Sequence, residues 1–270
     1  MPKVVLVLCD GLRYDTAVEM MGYMEHLVEY HQAIRYQLQG ELPTISRPMY
    51  ETIHTGVPVT VHGITSNWVV RPSKMPNIFS IANENGRVTA ASAYWWFSEL
   101  YNGCPYSPGV DKEIDNPAFA IQHGRFYTSD AMPDEETFNT GQVLFNRHHP
   151  DYLLIHPMGM DYLGHTYGPE SNQYRNNAIL IDTFLATYLP GWLAEGYTVL
   201  VTADHGISKN NSHGGTLPET REVPLYFIQS GNVKINPINK PLSHLVLAPT
   251  ILKLMALPIP KTMTEIPFIA

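Results

Sequence analysis

The sequence predicts an α/β protein whose doubly wound, mostly parallel sheet carries helices on both faces. Apolar, β-rich runs alternate with helical segments along most of the 270 residues. The run at residues 4–8 is continuously apolar, as buried parallel strands are. Asp10, Asp161 and Asp204 each lie past a predicted strand, where functional sites form in sheets of this kind.

The first part of the chain alternates strand and helix patterns with recognisable ends. Asp15 or Thr16 stands where the first helix would be capped, and Gly86 stands where the third would stop. The predicted elements are a strand at 4–8, a helix at 15–31, a short helix at 48–55, a helix at 77–85 and a strand at 88–93.

The second part continues the same alternation after an irregular stretch. Residues 94–133 are rich in aromatic residues, Gly and Pro and have weak periodicity, which predicts a small inserted cap or long insertion over the site. We expect this insertion to belong to one catalytic domain that spans residues 1–270. The further elements are helices at 135–146 and 172–195, the latter whole or broken near Pro190, strands at 152–155, 197–203 and 223–229, and a helix at 243–255.

Composition restricts the class of partner. The hydrophobic fraction of 44% is enough for a full core, and 17 Lys and Arg against 25 Asp and Glu give a charge of −8. Such an acidic chain is a poor candidate for binding a nucleic-acid polymer, so we expect a small-molecule partner. The absence of a signal-peptide pattern or a membrane-spanning run, with only Cys9 and Cys104, predicts a cytoplasmic protein with no membrane partner. No pattern indicates an oligomeric state.

Four short segments carry residues that together are typical of a two-metal hydrolase. Three carboxylates, three imidazoles and one hydroxyl suit two divalent cations, with Zn²⁺ favoured and Mn²⁺ as the second choice. Such a pair can activate a serine and hold a phosphoryl group during in-line displacement. The predicted set is Asp10, Ser46, Asp161, His165, Asp204, His205 and His213.

Several of these residues also have simpler interpretations. Asp10 could cap the turn after its strand, and His213 could be a surface histidine in a Gly-rich loop. Asp161 and His165 are four apart, so they share a face if helical and could also converge on one ion from a loop.

The nucleophile is predicted within a turn bracketed by Pro43 and Pro48. Ser46 stands at the start of a helix, whose N-terminus favours an anion. Ser46 could instead serve only as an N-cap, and Thr44 is the rival nucleophile.

These motifs resemble the alkaline phosphatase superfamily, and within it the nucleotide pyrophosphatase/phosphodiesterase branch. The resemblance spans nearly the whole chain, including the closing helix segment at 247–260. The nucleophile turn P-T-x-[TS]-x-P and the segment that follows it are matched by Pro43, Thr44, Ser46, Pro48, Thr55, Gly56, Pro58, His62, Gly63 and Ile64.

The resemblance implies a fold like that of alkaline phosphatase, two metal sites and the chemistry of a phosphoserine intermediate. Asn67 and the amide after Ser46 would bind the phosphoryl oxygens. The first metal would be held by Asp161, His165 and His213, and the second by Asp10, Ser46, Asp204 and His205.

The implied function is a hydrolase that cleaves phosphodiesters or nucleotide pyrophosphates. The alternatives on the same fold are a phosphomonoesterase and a phosphoryl or phosphoethanolamine transferase. A non-catalytic metal-binding protein is disfavoured because Ser46 and every expected ligand are present.

The chain departs from the family pattern beside the nucleophile. Met49 and Tyr50 stand where Asn-His is usual, and serine replaces the commoner threonine. Arg47 gives a partial match to the sulfatase pattern [CS]-x-P-x-R, but Tyr50 replaces its final arginine. This departure argues against sulfatase activity.

Aromatic residues near the site in sequence suggest a binding surface for a flat group. Trp68 follows Asn67, and a second cluster comprises Tyr94, Trp95, Trp96 and Phe97. Some of them, with Trp68, Tyr94 and Trp95 favoured, are predicted to stack on a base or another flat leaving group. The alternative is that they pack in the core or the cap.

Overall fold

The computed structural model describes residues 2–229 and 241–269 of the chain. Within these residues nine strands form one sheet, in the order β4-β5-β3-β6-β1-β7-β8-β2-β9. The strands are β1 (Lys3–Leu8), β2 (Ala33–Gln39), β3 (Thr89–Tyr94), β4 (Glu113–Asp115), β5 (His123–Tyr127), β6 (Tyr152–Ile155), β7 (Tyr197–Thr202), β8 (Glu222–Ile228) and β9 (Leu242–Ser243).

The connections between the strands are mostly helical. A 3₁₀ turn at His244–Val246 precedes the last helix. The helices are α1 (Tyr14–Met20), α2 (Gly22–Glu29), α3 (Ser46–Thr55), α4 (Val59–His62), α5 (Ile78–Glu84), α6 (Trp96–Tyr101), α7 (Pro108–Asp111), α8 (Asp134–His148), α9 (Gly159–Tyr167), α10 (Asn172–Ala194), α11 (Pro218–Arg221) and α12 (Leu247–Leu254).

The centre of the sheet is parallel. β1 pairs in parallel with β6 and β7, and β3 pairs in parallel with β5 and β6. β8 runs antiparallel to β7 and β2, and β4 runs antiparallel to β5, so the sheet is mixed toward both edges. The prediction of a mostly parallel α/β sheet is confirmed.

The predicted helix at 15–31 is divided into α1 and α2 in the structure. Met21 leaves the helical region, with φ −92° and ψ 73°. Asp182 on α10 accepts hydrogen bonds from the amides of Tyr23 and Met24, at 2.7 and 3.0 Å. A carboxylate from a distant helix therefore caps the start of α2, which sequence periodicity cannot reveal.

Two further stretches differ from simple sequence expectations. Pro190 lies inside α10 without ending it, so the predicted 172–195 segment is one helix. The segment 94–133, predicted as a cap or long insertion, contributes β4 and β5 to one edge of the sheet. Part of this segment thus extends the sheet, and its role over the site remains a prediction.

The approach of β1 to the start of α9 depends on glycine. Gly11, directly after Asp10, has φ +77°. A Cβ at this position would lie 2.8 Å from the Cα of Asp161. The absence of a side chain therefore lets the loop after β1 touch the backbone that carries Asp161.

Glu51 in the buried helix α3 should make stability depend on pH. Its Oε1 accepts a 2.6 Å hydrogen bond from Ser73, while Oε2 has no partner among the described residues. Burial raises the pKa of Glu51 from 4.5 to about 7, against the lowering effect of Ser73 and Tyr101. Between these pH values the folded protein keeps a proton that the unfolded chain releases, so stability falls as pH rises through this window.

We expect Glu51→Gln to remove about 3 kcal/mol of this pH dependence, the equivalent of the shift in pKa. Urea unfolding in chelator at pH 5 and pH 8 measures it. The variant should gain stability relative to the wild type at pH 8. An equal change with pH in both proteins would show that Glu51 is not the titrating group.

Candidate metal centre and nucleophile

The predicted ligands meet at the carboxyl edge of the central strands. Asp10 follows β1, Asp204 and His205 follow β7, and the His213 loop precedes α11. Asp161 and His165 lie on α9 and form an i,i+4 pair, so the helical alternative for this motif is the one observed. Ser46 is the first residue of α3.

The first group contains Asp10, Asp204 and His205, all fully buried. The Nε2 of His205 lies 3.4 Å from Oδ1 of Asp10 and 3.3 Å from Oδ2 of Asp204. The Oγ of Ser46 lies 3.1 Å from the same Nε2. Four predicted residues thus converge on one small volume at the start of α3.

The second group contains Asp161, His165 and His213. Oδ1 of Asp161 lies 3.3 Å from Nε2 of His165 and 3.6 Å from Nε2 of His213. In each of the two groups, one donor atom per Asp or His residue lies within 4.8 Å of the others. The pairing of residues that the sequence predicts is therefore the pairing that the geometry brings together.

The two groups adjoin one another. The rings of His205 and His213, which belong to different groups, stack with centroids 3.7 Å apart and planes 13° apart. Gly11 after Asp10 touches the backbone of Asp161. The arrangement is a single cluster with two foci, as two-metal phosphotransfer sites require.

Backbone carbonyls orient all three imidazoles in the same way. The Nδ1 atoms of His165, His205 and His213 lie 2.7, 3.2 and 2.7 Å from the carbonyl oxygens of Asn211, Gly206 and Thr44. Because a carbonyl only accepts, Nδ1 carries a proton in all three rings. Metal-binding histidines are held in this manner. In His205 and His213 the Nε2 then presents a lone pair, whereas the hydrogen bond with Asp161 raises the pKa of His165 to about 9. His165 therefore has to release its Nε2 proton when a metal binds.

The donor set fits divalent cations. Oδ1 of Asp10, Oδ1 of Asp161 and Oδ2 of Asp204 are buried and lack hydrogen-bond partners among the described residues. Burial and the charges of Asp10 and Asp161 raise the pKa of Asp204 well above its ordinary value. Crowded carboxylates whose free oxygens face imidazole lone pairs are unfavourable until cations lie between them.

Two of the imidazoles are neutral at physiological pH. Burial lowers the pKa of His205 to about 4, and burial with the nearby His205 lowers the pKa of His213 to about 4. Neutral imidazole is the form that coordinates a metal.

Ser46 and Thr44 have different surroundings. Ser46 Oγ points at the first group through His205. Thr44 Oγ1 instead donates to the carbonyl of Gly215 at 3.2 Å and accepts from the amide of Gly214 at 3.0 Å. The hydroxyl of Thr44 thus holds the loop that carries His213, which favours Ser46 as the nucleophile.

The side-chain amide of Asn67 is held beside the nucleophile by the residue that follows Ser46. Its Oδ1 accepts the amide hydrogen of Arg47 at 3.0 Å. The resemblance predicted that the Arg47 backbone amide binds a phosphoryl oxygen. In the structure this backbone amide instead orients Asn67. Among the described residues the Nδ2 of Asn67 has no acceptor, so it is the donor left for a ligand.

His62 from the same motif is buried, and its Nε2 lies 3.0 Å from Oγ1 of Thr52. This contact connects α4 to α3.

Sequence reasoning did not include two buried residues that contact Asp10. Tyr50 donates a short hydrogen bond to Oδ2 of Asp10, and Nε2 of His156 lies 3.4 Å from the same oxygen. Burial opposes ionisation of Asp10, but His156, His205 and Tyr50 together lower its pKa to about 2. His156 directly follows β6. The rule that singled out Asp10 and Asp204 at strand ends could therefore have found it.

We expect Tyr50→Phe to weaken metal binding about 10- to 100-fold, because Asp10 loses the donor that orients it. Competition between the protein and a chromophoric chelator for Zn²⁺ measures the affinity. The matched control is Tyr101→Phe, a buried tyrosine of the same aromatic cluster that donates to the carbonyl of Tyr50 at 3.1 Å. Equal weakening in both variants would assign the effect to packing.

The three aromatic residues predicted to contact substrate have different exposure. The Trp68 side chain is 90% exposed, next to Asn67. Tyr94 is buried and packs against Trp95 and Tyr127, with ring centroids 5.9 and 5.6 Å apart. Trp95 is half-buried, and the Arg47 guanidinium lies 5.9 Å from its ring. Trp68 therefore offers most surface to a ligand, and substrate contact by all three stays a prediction.

The chain is similar to several known proteins. The family model for type I phosphodiesterase/nucleotide pyrophosphatase matches residues 4–223. Similar curated proteins include GPI ethanolamine phosphate transferase 1 of Aspergillus fumigatus, 25% identical over 85% of this chain. The catalytic subunit of human GPI ethanolamine phosphate transferase 2 is 27% identical over 96% of this chain. The matched regions are 25% and 27% of those proteins, so the chain spans about a quarter of their length.

A solved structure shares the fold. Murine ectonucleotide pyrophosphatase/phosphodiesterase 5 superposes with a TM-score of 0.73 and 13% identity, covering 96% of each chain. At this identity the likeness concerns the fold alone. In the described part of our chain, no helix has the length and apolar character needed to cross a membrane.

Proposed function

The chain belongs to the type I phosphodiesterase/nucleotide pyrophosphatase family of the alkaline phosphatase superfamily, and on this basis we propose that it cleaves phosphodiester or nucleotide pyrophosphate bonds. The reaction uses two divalent cations, Zn²⁺ in preference to Mn²⁺, and a covalent intermediate on Ser46. The observation that carries the proposal is the position of Ser46 Oγ, 3.1 Å from His205 Nε2 within the first ligand group.

The ligand assignment follows the two groups of donor atoms. One cation would be held by Asp161, His165 and His213 and the other by Ser46 with the first group. Mixed carboxylate and imidazole donors with Nδ1 anchored to carbonyls favour zinc. When bound, the cations supply positive charge that lowers the pKa of the serine hydroxyl and offsets the charge of the phosphoryl oxygens.

The protein groups then act on the substrate in two steps. Ser46 Oγ forms a bond to phosphorus while the bond to the leaving oxygen breaks, giving an ester on the serine. The N-terminus of α3 favours the negative charge at Oγ. Asn67, fixed through Oδ1, donates from Nδ2 to a phosphoryl oxygen. In the second step water displaces Ser46 and restores its hydroxyl.

A phosphoethanolamine transferase is the second candidate. The curated relatives named above are ethanolamine phosphate transferases, although each is matched over about a quarter of its length. The first step would be the same, with an ethanolamine phosphate ester left on Ser46. An alcohol would replace water in the second step.

The substrate is proposed to be a small phosphoester. The chain has a charge of −8, so it offers little attraction to a long polyanion. Exposed Trp68 lies next to Asn67 and could pack against the leaving group.

A substrate panel tests the proposal and separates the candidates. Zinc-loaded protein is assayed with a nucleotide diester, an alkyl diester, a monoester and phosphatidylethanolamine with an alcohol acceptor. Faster cleavage of diesters than of the monoester supports the proposal, and transfer of ethanolamine phosphate to the alcohol supports the second candidate. Turnover confined to the monoester would contradict both. If Trp68 stacks on a base, Trp68→Ala should slow the nucleotide diester more than the alkyl diester.

A further inference from the structure

A further cluster of histidines, apart from the candidate metal centre, lies where β4 and β5 form one side of the sheet. These strands are antiparallel, with Asp115 opposite His123 and Glu113 opposite Arg125. Cross-strand partners project to the same face, so the Asp115 and His123 side chains meet there. His148, the last residue of α8, packs over this pair, and its ring stacks on His123 with centroids 3.5 Å apart and planes 15° apart.

We propose that Asp115, His123 and His148 form a third divalent-cation site, suited to Zn²⁺. Oδ1 of Asp115 lies 2.8 Å from Nδ1 of His123 and 3.7 Å from Nε2 of His148. These distances bracket the separation of about 3.3 Å that tetrahedral ligands have when zinc–nitrogen bonds are about 2.0–2.1 Å. Two imidazoles and one carboxylate leave the fourth position for water.

The environment favours coordination by neutral imidazoles. His123 and His148 are about one-fifth exposed, at 20% and 22% of their side chains, so solvent metal can reach them. Two stacked imidazolium ions would repel one another. Burial and the neighbouring His123 lower the pKa of His148, which keeps its lone pair available. A cation beside Asp115 would be attracted by the carboxylate. Because the lone pairs lie in the planes of the stacked rings, coordination by both nitrogens requires the two rings to tilt apart from the 15° seen here.

The charges of Arg147 and Arg125 both oppose a cation here, and both add to the effect of burial in lowering the pKa of His148. Arg125 also contacts Asp115 directly. It donates to Oδ2 of Asp115 at 2.8 Å and to the carbonyls of Ile114 and Gly124 at 2.9 and 2.8 Å. These bonds hold the guanidinium on the far oxygen and leave Oδ1 directed at the histidines. Its charge nevertheless weakens binding, so removal of that charge should strengthen it.

This cluster is separate from the catalytic residues. His123 begins β5 and pairs in parallel with Ala90 of β3. It therefore lies at the amino edge of the parallel strands, whereas Asp10 and Asp204 follow their carboxyl ends. A cation here would tie the β4–β5 hairpin to the end of α8 and would serve structure and not turnover.

Calorimetric titration of Zn²⁺ into chelator-stripped full chain tests the site. We compare wild type with His148→Gln, which retains a polar side chain of similar size but removes the imidazole. One zinc fewer per chain in the variant, with unchanged turnover by the zinc-loaded protein, is the expected result. Equal stoichiometry in the two proteins overturns the proposal, whatever number the catalytic centre binds.

Arg125→Gln provides the opposite change at the same site. Arg125→Gln should strengthen zinc binding at this cluster by several-fold or more, whereas His148→Gln should abolish it. Asp161→Asn serves as the reference for the catalytic centre, because it should alter a different binding event. If Arg125→Gln weakens zinc binding, Arg125 supports the cluster through its hydrogen bonds and the charge argument for a cation site fails.

Discussion

Ser46→Ala is expected to lower kcat by at least about 10⁴-fold, because loss of a nucleophile removes the covalent route. The fold should survive, since Ser46 is the first residue of α3 and its hydroxyl contacts only His205 among the described residues. Steady-state rates with the best substrate of the panel measure the effect. Zinc content should remain near that of the wild type, because six Asp and His ligands stay in place.

Thr44→Ala is the control for this prediction. Its hydroxyl forms hydrogen bonds only with Gly214 and Gly215 among the described residues. Its carbonyl accepts a hydrogen bond from Nδ1 of His213, and the substitution keeps this carbonyl. We therefore expect a smaller loss of activity, on the order of the 10²-fold that follows when a positioning contact is removed. A larger loss in Thr44→Ala than in Ser46→Ala would transfer the nucleophile to Thr44.

The effect of Asp204→Asn on stability should have opposite signs in the metal-free and the metal-loaded protein. In chelator, the variant removes one of three crowded carboxylates and still accepts the amide of Gly11 through its Oδ1, the contact seen at 3.2 Å. Because burial and neighbouring charge raise the pKa of Asp204, its ionised form costs stability at neutral pH. The metal-free variant should therefore be more stable than the metal-free wild type.

With zinc bound, the wild type should be more stable than Asp204→Asn. Chelator should lower the wild-type Tm by on the order of 10 °C, as expected for ligands bound well above their Kd. The variant should respond much less, and its activity should fall with its zinc content. Asp182→Asn, another buried carboxylate, caps α2 and should cost the same with and without metal. A chelator response in Asp204→Asn equal to that of the wild type would contradict its role as a ligand.

Much of the fold could be predicted because the central strands are strongly apolar. β1 and β6 lie close to their predicted bounds, and α5 lies within the helix predicted at 77–85. Strands near the edges of the sheet lack this signal. β5 has the sequence HGRFY, in which Gly124 and Arg125 weaken the strand pattern, and its pairing with β3 and β4 defines it.

The candidate site shows the same division between local and long-range information. Asp10 and Asp204 were predictable because each follows a clear strand and carries a ligand-type side chain. Tyr50 was recognised only as a departure from the family pattern. Its partner is forty positions away in the chain, and its bond to Asp10 depends on how α3 packs beside β1. Contacts of this kind depend on tertiary packing and leave no local periodicity.

The most direct measurement is peptide mapping by mass spectrometry of enzyme that is acid-quenched during turnover. The two-metal serine mechanism predicts a phosphoryl adduct on Ser46 that retains the ester group of a diester substrate. The adduct should be absent from Ser46→Ala. An adduct on Thr44 or any other residue, or steady turnover by Ser46→Ala at the wild-type rate, would contradict Ser46 as the metal-activated nucleophile.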